Sequence, residues 1–465
     1  MKMTHAIWET LLQNFSDNAK RYLEDMPKRA IATLSPTLPS ADLPQGVQNL
    51  DSTFALLQNQ VIPQMSASAG PRYWGFVTGG TNPIAAYADW WVTLLDQNVA
   101  KGGDSAASDI ERQAIEMLVE LFHLPADFKG LCTTGATASN LLAVIVARQF
   151  VGNQQNIDIA KEGLAALDIE VFSACPHASM IKTLGLGGIG QNQISYVKTL
   201  PESEQMDCDD LAVRLAGSNA KSKIVISSAA TVTGTSFDDF TSIAKLCAQH
   251  NAWLHIDAAF GIFKRLIAPN DPCHQGIELA DSITLDGHKW LNVPYDCGVF
   301  LTRHQTILQQ SCHVDAPYLK NNSPEPDFMS LGIENSRRFR ALPVWLTLKH
   351  YGRHGIAEWI LRNVQQAKQL AQFIDGHPDY ELVHPCQLNV VLFRPVLAAT
   401  SDDLSQACLD MINKDGRLFL SPGKWQGKSI IRAALSNWQT QYEDMIIAEQ
   451  VLNDAASKLR KAYSV

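Results

Sequence analysis

Between residues 110 and 305, short apolar runs alternate with helical patterns, and this alternation constrains the fold more than any other feature of the chain. The runs are "LCTT" (131–134), "EVFSA" (170–174), "KIVISSA" (223–229), "AWLHIDAA" (252–259), "SITL" (282–285) and "GVFLT" (298–302). Near-continuous apolar strands separated by helices are typical of a mostly parallel sheet that is covered on both faces. We therefore predict an α/β protein with a mostly parallel, doubly wound sheet.

The two ends of the chain have different patterns. Within the first 60 residues, apolar side chains recur at helical spacing, and the Pro/Ser-rich connector "LSPTLPSADLP" interrupts them. Beyond about residue 340, a long helical pattern is followed by the strand-like runs "YELV", "NVVLFRP" and "SIIRAAL". We predict an N-terminal helical segment over residues 1–75, a large domain over 76–335 and a small α+β C-terminal domain over 336–465.

Composition excludes several classes of function. The 465 residues carry a net charge of −9, so neither nucleic acid nor an anionic membrane is an expected partner. The longest wholly apolar run, "LLAVIVA" (141–147), is far too short to span a membrane. Nine cysteines without a C-x-x-C pair indicate reduced thiols and a cytoplasmic location. The histidines form no H-E-x-x-H or similar cluster, so we predict no metal site.

In sheets of this kind, ligands bind beyond the carboxyl ends of the strands, and one such end reads "TTGATASN" (133–140). Gly135 allows a close approach of the backbone, and the N–H groups of Ala136 and Thr137 open a helix. A helix N-terminus carries roughly +0.5 charge, which suits a phosphate. The alternative is an ordinary glycine turn with a Thr or Ser cap.

Three further side chains follow other strands. His177 comes after "EVFSA", where an imidazole suits stacking on a flat ring, although a lone histidine is more often structural. Asp257 closes "AWLHIDAA", and burying its carboxylate costs several kcal/mol unless a cation, a helix cap or an arginine meets it. Lys289 follows 32 residues later, one strand–helix–strand step, so it and Asp257 are expected at the same sheet edge.

One ligand satisfies these four features together, namely pyridoxal 5′-phosphate (PLP). The helix N-terminus would hold its phosphate, Lys289 its aldehyde, Asp257 its pyridine nitrogen and His177 one face of its ring. An opposite charge in contact shifts a pKa by about 1–3 units, which would keep that nitrogen protonated. The sequence therefore predicts a PLP site at this edge.

The order "TTGATASN", "PHASM", "HIDAAFG", "ADSITLDGHKW" resembles the group II PLP-dependent amino-acid decarboxylases, which include the glutamate and aromatic-L-amino-acid decarboxylases. "RYWGFVTGG" (72–80), "SRRFRALPVWLTLKHYG" (336–352) and "IIRAALSNWQT" (430–440) extend the resemblance over nearly the whole chain. It implies PLP-dependent transferase fold type I, with PLP bound by the large domain. It also implies a homodimer with shared active sites, in which the N-terminal segment packs on the partner.

The resemblance also implies a role for individual residues. Lys289 corresponds to the covalent anchor, Asp257 to the partner of the pyridine nitrogen and His177 to the stacking residue, and these three form the catalytic set. The remaining residues implied in cofactor binding are Ala136, Thr137, Thr231, Ala259, Asp286 and His288. Arg432 corresponds to the arginine that holds the substrate carboxylate in glutamate decarboxylases, and Phe76 to a substrate-binding position.

The activity that the resemblance implies is decarboxylation of an L-amino acid to an amine and carbon dioxide. Three alternatives stay open, namely a PLP-dependent aldehyde synthase, another fold-type-I enzyme such as an aminotransferase, and a catalytically dead PLP-binding protein. Family members carry a loop tyrosine that protonates Cα, and the segment 321–338 here has none. Phe328 lies near the expected place and Tyr318 just before it. Loss of this acid can turn such a site toward aldehyde formation, and the alternative is that His177 or a group from the partner chain donates the proton.

Other departures concern the cofactor and the substrate. Asp286 stands where family members usually have asparagine, and a carboxylate there would repel a phosphate unless it pairs with a cation. Phe76 disfavours glutamate as substrate, and Trp74 with Phe76 suggests an apolar wall, the alternative being a pair of dimer-core aromatics. Arg337, Arg338 and Arg340 would suit an acidic substrate, but structural ion pairs at the domain junction are the preferred interpretation.

Overall fold

The structure, a computed structural model, describes residues 5–165, 167–313, 325–399, 401 and 403–463. Its larger sheet comprises β1 (Lys129–Thr133), β2 (Ile169–Ser173), β3 (Ile194–Tyr196), β4 (Ser222–Ser228), β5 (Trp253–Asp257), β6 (Ser282–Asp286) and β7 (Gly298–Thr302). The strand order is β1-β7-β6-β5-β4-β2-β3. Neighbours from β6 through β3 pair in parallel, whereas β7 runs antiparallel to both β1 and β6. The predicted mostly parallel sheet is therefore confirmed.

The described helices surround the two sheets of the molecule. In chain order they are α1 (His5–Asp25), α2 (Leu50–Leu56), α3 (Pro83–Leu95), α4 (Ala107–Leu121), α5 (Ala136–Gln154), α6 (Ile159–Glu162), α7 (Ala178–Leu186), α8 (Cys208–Gly217), α9 (Phe240–Gln249), α10 (Lys264–Ile267), α11 (Gln305–Cys312), α12 (Ala341–Asp375), α13 (Asp403–Asp415) and α14 (Tyr442–Ala462). Gly352 interrupts α12 with a left-handed φ of 58°. Within the described part of the chain, no helix is long and apolar enough to cross a bilayer.

The strands of the larger sheet form because their residues are apolar on both faces. Every residue of β5, β6 and β7 is buried, and α5 packs across β4 to β7. A strand that is buried on both sides has to be apolar almost throughout, which is why these runs were recognisable in the sequence. The exceptions are a few buried polar residues, namely His255, Ser282, Thr284 and Thr302, and the two carboxylates at the carboxyl ends, Asp257 and Asp286.

A smaller antiparallel sheet lies in the C-terminal part. It comprises β8 (Tyr380–His384), β9 (Val390–Pro395), β10 (Ser421–Trp425) and β11 (Lys428–Ala434), in the order β10-β11-β9-β8. Residues including Phe393, Ile431 and Met445 form a core of their own around it, separate from the core of the larger sheet. The predicted α+β pattern past residue 340 is confirmed, whereas the exact boundaries at residues 75 and 335 stay a prediction.

Because β5 and β6 pair in parallel, the loops that follow these two strands lie at the same edge of the sheet. The connection between these strands contains only the short helix α10 and single 3₁₀ turns, where the sequence predicted an ordinary crossover helix. The loop 66–83 crosses the same edge, because the backbone of Gly79 lies directly against that of Lys289 and a Cβ there would overlap the Lys289 carbonyl. The fold thus collects the carboxyl ends of β2, β4, β5 and β6 around one opening.

Candidate active site

A cavity of about 610 Å³ opens at these strand ends. The predicted site residues on its wall are Phe76, Ala136, His177, Thr231, Asp257, Ala259, Lys289 and Arg432. The other three, Thr137, Asp286 and His288, lie beside the wall next to Ala136 and Lys289. The structure therefore brings together residues that are spread over more than 350 positions of the chain.

Lys289 enters this cavity three residues after β6 ends. Its Nζ lies 3.1 Å from Oδ2 of Asp286 and 5.8 Å from the centre of the Phe260 ring. Asp286 is 2% exposed, and its Oδ1 has no hydrogen-bond partner in the part of the chain that the structure describes. Asp286 thus pairs with a cation, which was the condition for tolerating a carboxylate at this position.

His288 packs behind the lysine. Its ring stacks on Tyr295 with centres 4.2 Å apart, and its Nδ1 accepts a hydrogen bond from the Cys297 N–H at 3.3 Å. Its Nε2 lies 3.6 Å from Oδ2 of Asp286. Burial lowers the pKa of His288, and the nearby Asp286 carboxylate opposes this change. The ring is held by contacts on both sides.

Asp257 is buried at the end of β5, and no cationic side chain of the described ranges pairs with it. Its Oδ1 accepts a hydrogen bond from the Ala259 N–H at 3.2 Å, and its Oδ2 accepts one from Asn140 Nδ2 at 3.0 Å. Among the described residues, no lysine, arginine or histidine lies within ion-pair distance of it. Neither the arginine nor the helix cap considered above is therefore its partner. A buried carboxylate in this state suits a cationic group on a bound ligand.

A chain of buried hydrogen bonds supports Asp257 from below. Trp253 Nε1 donates to Ser282 Oγ at 3.1 Å, and Ser282 Oγ lies 2.9 Å from His255 Nδ1. His255 Nε2 lies 3.2 Å from Asn140 Oδ1, and the Asn140 amide then donates to Asp257. Burial lowers the pKa of His255 to about 4, so the ring is neutral at pH 7.

The direction of this chain follows from its two ends. An indole N–H only donates, and a carboxylate only accepts. The Asn140 amide nitrogen donates to Asp257, so Asn140 Oδ1 is left to accept a hydrogen bond from His255 Nε2. His255 therefore carries its hydrogen on Nε2, and its Nδ1 accepts from the Ser282 hydroxyl. Each group between the two ends thus donates one hydrogen along the chain and accepts one. The arrangement orients the Asp257 carboxylate toward the cavity.

His177 has a structural role and also faces the cavity. It is the N-cap residue of α7, where its Nδ1 accepts a hydrogen bond from the Ser179 N–H at 3.2 Å and lies 2.7 Å from Ser179 Oγ. Burial lowers its pKa, which favours the neutral ring. Because Nδ1 accepts, the neutral ring carries its hydrogen on Nε2. Both interpretations of this histidine, the structural and the functional, are therefore compatible.

The loop before α5 forms an anion-binding geometry. Gly135 has a φ of +150°, and in the described structure no side chain caps the helix that begins at Ala136. Thr133 Oγ1 forms a hydrogen bond with Ser139 Oγ at 2.8 Å, and it does not bond to the first N–H groups of the helix. The alternative of a Thr or Ser cap therefore does not hold, and these N–H groups are available to a phosphate. A Cβ at Gly135 would lie 3.1 Å from His288 Cε1, so the cradle depends on glycine.

These features fit PLP on structural grounds alone. The cavity offers an amine at Lys289, an uncapped helix N-terminus, and a buried carboxylate at Asp257 that no cation of the described chain meets. A ligand with an aldehyde, a phosphate and a basic ring nitrogen matches all three groups.

Sequence reasoning missed several residues of the cavity wall, namely Cys175, Tyr196, Glu204 and Tyr295, and also the supporting Asn140. Glu204 lies between β3 and α8, in a segment without a motif, so no sequence signal pointed to it. It alters the expectation for Thr231, whose hydroxyl donates to Glu204 Oε2 at 2.5 Å and accepts from the Ser236 N–H. The single hydrogen of that hydroxyl is therefore already in use.

Other expectations around the substrate change in detail. Trp74 is 1% exposed and belongs to the core of the small sheet, so the prediction that it forms a cavity wall with Phe76 is wrong. Phe328 is buried beneath the Arg337 guanidinium at 4.8 Å and does not line the cavity. Tyr318 lies outside the described residues.

The three arginines at the domain junction all form ion pairs with carboxylates, which confirms the structural interpretation that the sequence favoured. Arg337 pairs with Glu111, Arg338 with Asp89, and Arg340 with Asp296 and Glu334. None of the three lines the described cavity wall.

Comparison with known proteins agrees with this geometry. The family described as the pyridoxal-dependent decarboxylase conserved domain matches residues 33–396. An aromatic-L-amino-acid decarboxylase of Bacillus atrophaeus is 29% identical over 434 residues, which cover 90% of this chain and 88% of that protein. A phenylacetaldehyde synthase of Arabidopsis thaliana is 22% identical over 481 residues, covering 97% of this chain and 95% of that protein.

The fold is also that of a solved structure. Oryza sativa TDC with PLP and tryptamine superposes with a TM-score of 0.91 at 21% sequence identity, covering 99% of both chains. The family match spans most of the chain and includes the cavity residues from Phe76 to Lys289. The chain therefore belongs to the pyridoxal-dependent decarboxylase family, and it is a PLP-dependent carboxy-lyase that acts on an amino acid.

Proposed function

We propose that Lys289, Asp257 and His177 are the catalytic residues of this decarboxylase. The observation that carries the proposal is the Asp257 carboxylate, which is buried in the same cavity as the Lys289 amine and has no cation from the described chain. Maintaining an unpaired buried carboxylate costs free energy, so a ligand that supplies the missing positive charge gains affinity from it.

Each residue near the cavity then has a defined task. Lys289 would anchor the aldehyde, Ala136 and Thr137 would bind the phosphate through their N–H groups, and Asp257 would hold a proton on the ring nitrogen. His177 and Ala259 would contact the two faces of the ring. Bound PLP supplies an electron sink for the bond that releases carbon dioxide.

Other residues would support this binding site. Asp286, 3.1 Å from Lys289 Nζ, positions the amine before the cofactor binds. His288 closes the cradle next to Gly135, and Thr231 lines the wall while it is tied to Glu204.

The wall of the cavity supports a substrate with a substantial side chain. Phe76, Ile181, Val232 and Tyr295 give it a largely apolar surface. Arg432 donates from Nε to the Val232 carbonyl at 2.8 Å and from Nη1 to the Phe76 carbonyl at 2.9 Å. Its Nη2 is buried without a partner among the described residues, which suits the substrate carboxylate. The relative from Bacillus atrophaeus bears the name of an aromatic-L-amino-acid decarboxylase, which agrees with an apolar pocket.

We favour the amine over the aldehyde as product. The segment 321–338 lacks a tyrosine, but Tyr196, Tyr295 and His177 all line the cavity, and each carries a hydrogen that it could donate to the substrate. Similarity to an aldehyde synthase keeps oxidative deamination as the second candidate.

We also propose a cytoplasmic homodimer. The N-terminal helices expose large apolar side chains, among them Trp8, Leu12, Trp90 and Trp91, and such a patch marks an interface. All nine cysteines are free thiols, as expected in a reducing compartment.

The test is a carbon dioxide release assay over a panel of amino acids, with mass analysis of the products. We expect an amine with one equivalent of carbon dioxide. Lys289→Ala should abolish turnover, and borohydride should fix PLP to the wild-type protein but not to this variant. Lys182→Ala, an exposed change on α7, is the matched control and should retain both properties. Aldehyde and ammonia as the main products would contradict the proposed product, and borohydride labelling of Lys289→Ala would contradict the assignment of the anchor.

A further inference from the structure

We propose that Glu204 determines substrate specificity: it favours an L-amino acid whose side chain ends in a hydrogen-bond donor, neutral or cationic, and it rejects an acidic side chain. The inference rests on the proposed function of the cavity, which Glu204 lines together with Lys289, His177 and Arg432. It names a class of substrate that the family match leaves open.

The Glu204 carboxylate is held in one orientation by its own surroundings. Oε2 accepts hydrogen bonds from Thr231 Oγ1 at 2.5 Å and from the Gly234 N–H at 2.7 Å. Oε1 accepts no hydrogen bond from any residue in the described ranges. A half-buried carboxylate with one fixed and one free oxygen presents an acceptor to whatever enters the cavity.

The charged groups of the described cavity wall leave few other contacts for a substrate. They are Glu204, Asp257, Lys289 and Arg432. In the proposed function, Lys289 and Asp257 are occupied by the cofactor, so Arg432 and Glu204 remain for the substrate. Burial lowers the pKa of Arg432 to about 10, and the negative charge of Glu204 opposes this change, so the two groups sense each other.

Arg432 and Glu204 nevertheless form no ion pair within 4 Å in the described structure. An amino acid supplies a carboxylate for the free Nη2 of Arg432 and, at the end of its side chain, a donor for Oε1 of Glu204. Apolar side chains such as Phe76 and Val232 line the same cavity, which suits the middle of the substrate.

Physical chemistry sets the direction of the preference. A substrate without a donor would bury Oε1 without replacing its water, and an unpaired buried acceptor is unfavourable. An acidic side chain would place a second negative charge near the first in a poorly hydrated cavity. A hydrogen-bond donor at the end of the side chain, neutral or cationic, replaces the water that Oε1 loses, and the bond is strong because its acceptor is charged.

A purely structural role is the main alternative, because Glu204 also ties down the turn 231–234. Glu204→Gln separates the two roles. A glutamine keeps a carbonyl oxygen that accepts from Thr231 and Gly234, but it removes the charge. Glu202→Gln is the matched control, since Glu202 is an exposed carboxylate on the same segment that does not line the cavity.

The experiment measures kcat/KM of the PLP-loaded enzyme for matched substrate pairs, tyrosine against phenylalanine, lysine against norleucine, and glutamine against glutamate. In the wild type, we expect the first member of each pair to be preferred by at least about tenfold. Glu204→Gln should reduce each preference to within about threefold and increase the rate with glutamate, whereas Glu202→Gln should leave the preferences unchanged.

Two failures of this experiment have different meanings. Carbon dioxide release with the same preferences in wild type and Glu204→Gln would overturn the role of Glu204 and leave the decarboxylase activity intact. A wild-type enzyme that prefers phenylalanine over tyrosine and norleucine over lysine would also overturn the role of Glu204. No carbon dioxide from any of the twenty amino acids would contradict the proposed function itself.

Discussion

Two regions beside the large sheet bury charged side chains, and they differ in whether those charges find partners within the chain. Next to β1, the fully buried Arg337 and Glu111 form a two-pronged ion pair at 2.6 and 3.2 Å, and Arg337 also donates to the Val99 and Cys132 carbonyls. In the cavity, by contrast, Asp257 has no cation and Arg432 has a free Nη2 among the described residues.

The difference separates charges that stabilise the fold from charges that serve a ligand. Burial by itself would lower the pKa of Arg337. The attraction of the Glu111 carboxylate is larger than this effect of burial, so the pKa of Arg337 is raised. A charge in the cavity lacks such compensation because its partner arrives with the ligand. Mutations in the two regions should therefore have different consequences, which the following experiments compare.

The largest effect is expected from breaking the buried ion pair. Glu111→Leu leaves the Arg337 guanidinium buried without its carboxylate, which should lower the free energy of unfolding by about 3–5 kcal/mol. Urea denaturation measures this. The double variant Glu111→Leu/Arg337→Met should recover most of the loss, since it removes the stranded charge. A single variant as stable as the wild type would show that the pair does not matter to the fold.

His255, beneath the cavity, should make stability depend on pH. Its pKa is about 4 in the folded protein because of burial, below the ordinary 6.5, so the unfolded chain takes up a proton first. The stability due to the neutral ring is complete above pH 6.5 and is lost as the pH falls toward 4. The total loss is about 3 kcal/mol, of which about 2 kcal/mol falls between pH 7 and 5.

Urea midpoints at pH 7 and pH 5 test this expectation. The drop should be smaller in His255→Gln than in the wild type, and it should be unaltered in His350→Gln, which changes an exposed histidine on α12. An equal drop in all three proteins would show that His255 does not titrate on unfolding.

Asp257→Asn should affect catalysis and not the fold. A neutral amide does not hold a proton on the ring nitrogen, and the loss of 1–3 pKa units of stabilisation corresponds to a fall in kcat/KM of about ten- to a thousandfold. The cofactor-free protein should unfold within about 1 kcal/mol of the wild type, since no protein cation loses its partner. Asp109→Asn, on the exposed face of α4, is the control. A large loss of stability would place Asp257 with the structural charges.

The smallest effect is expected at a surface ion pair of the junction. Arg338 lies 2.7 Å from Asp89, but both side chains are substantially exposed, so water screens their attraction. Arg338→Ala should change the free energy of unfolding by less than about 1 kcal/mol and leave kcat/KM unaltered. Thermal unfolding of the variant checks this, and a change in substrate preference would revive the idea that this arginine contacts the substrate.

The errors of sequence reasoning about strands have a common cause. The buried strands β4 to β7 were recognised because burial on both faces demands uninterrupted apolar residues. The two strands that were missed, β3 and β10, lie at sheet edges. An edge strand is partly exposed and tolerates Pro422 and Gly423, so its pattern is weak.

The sequence by itself determined the α/β class, the polar residues at the strand ends and the family, because strand burial and motif order are local properties of the chain. Only the tertiary structure decided which charges are paired. It paired Asp286 with Lys289, left Asp257 without a cation from the described residues, moved Trp74 into the small core and placed Glu204 on the cavity wall. The reason is physical: the energy of a buried charge depends on neighbours that are hundreds of residues away in the chain, and residue patterns along the sequence contain no record of those distances.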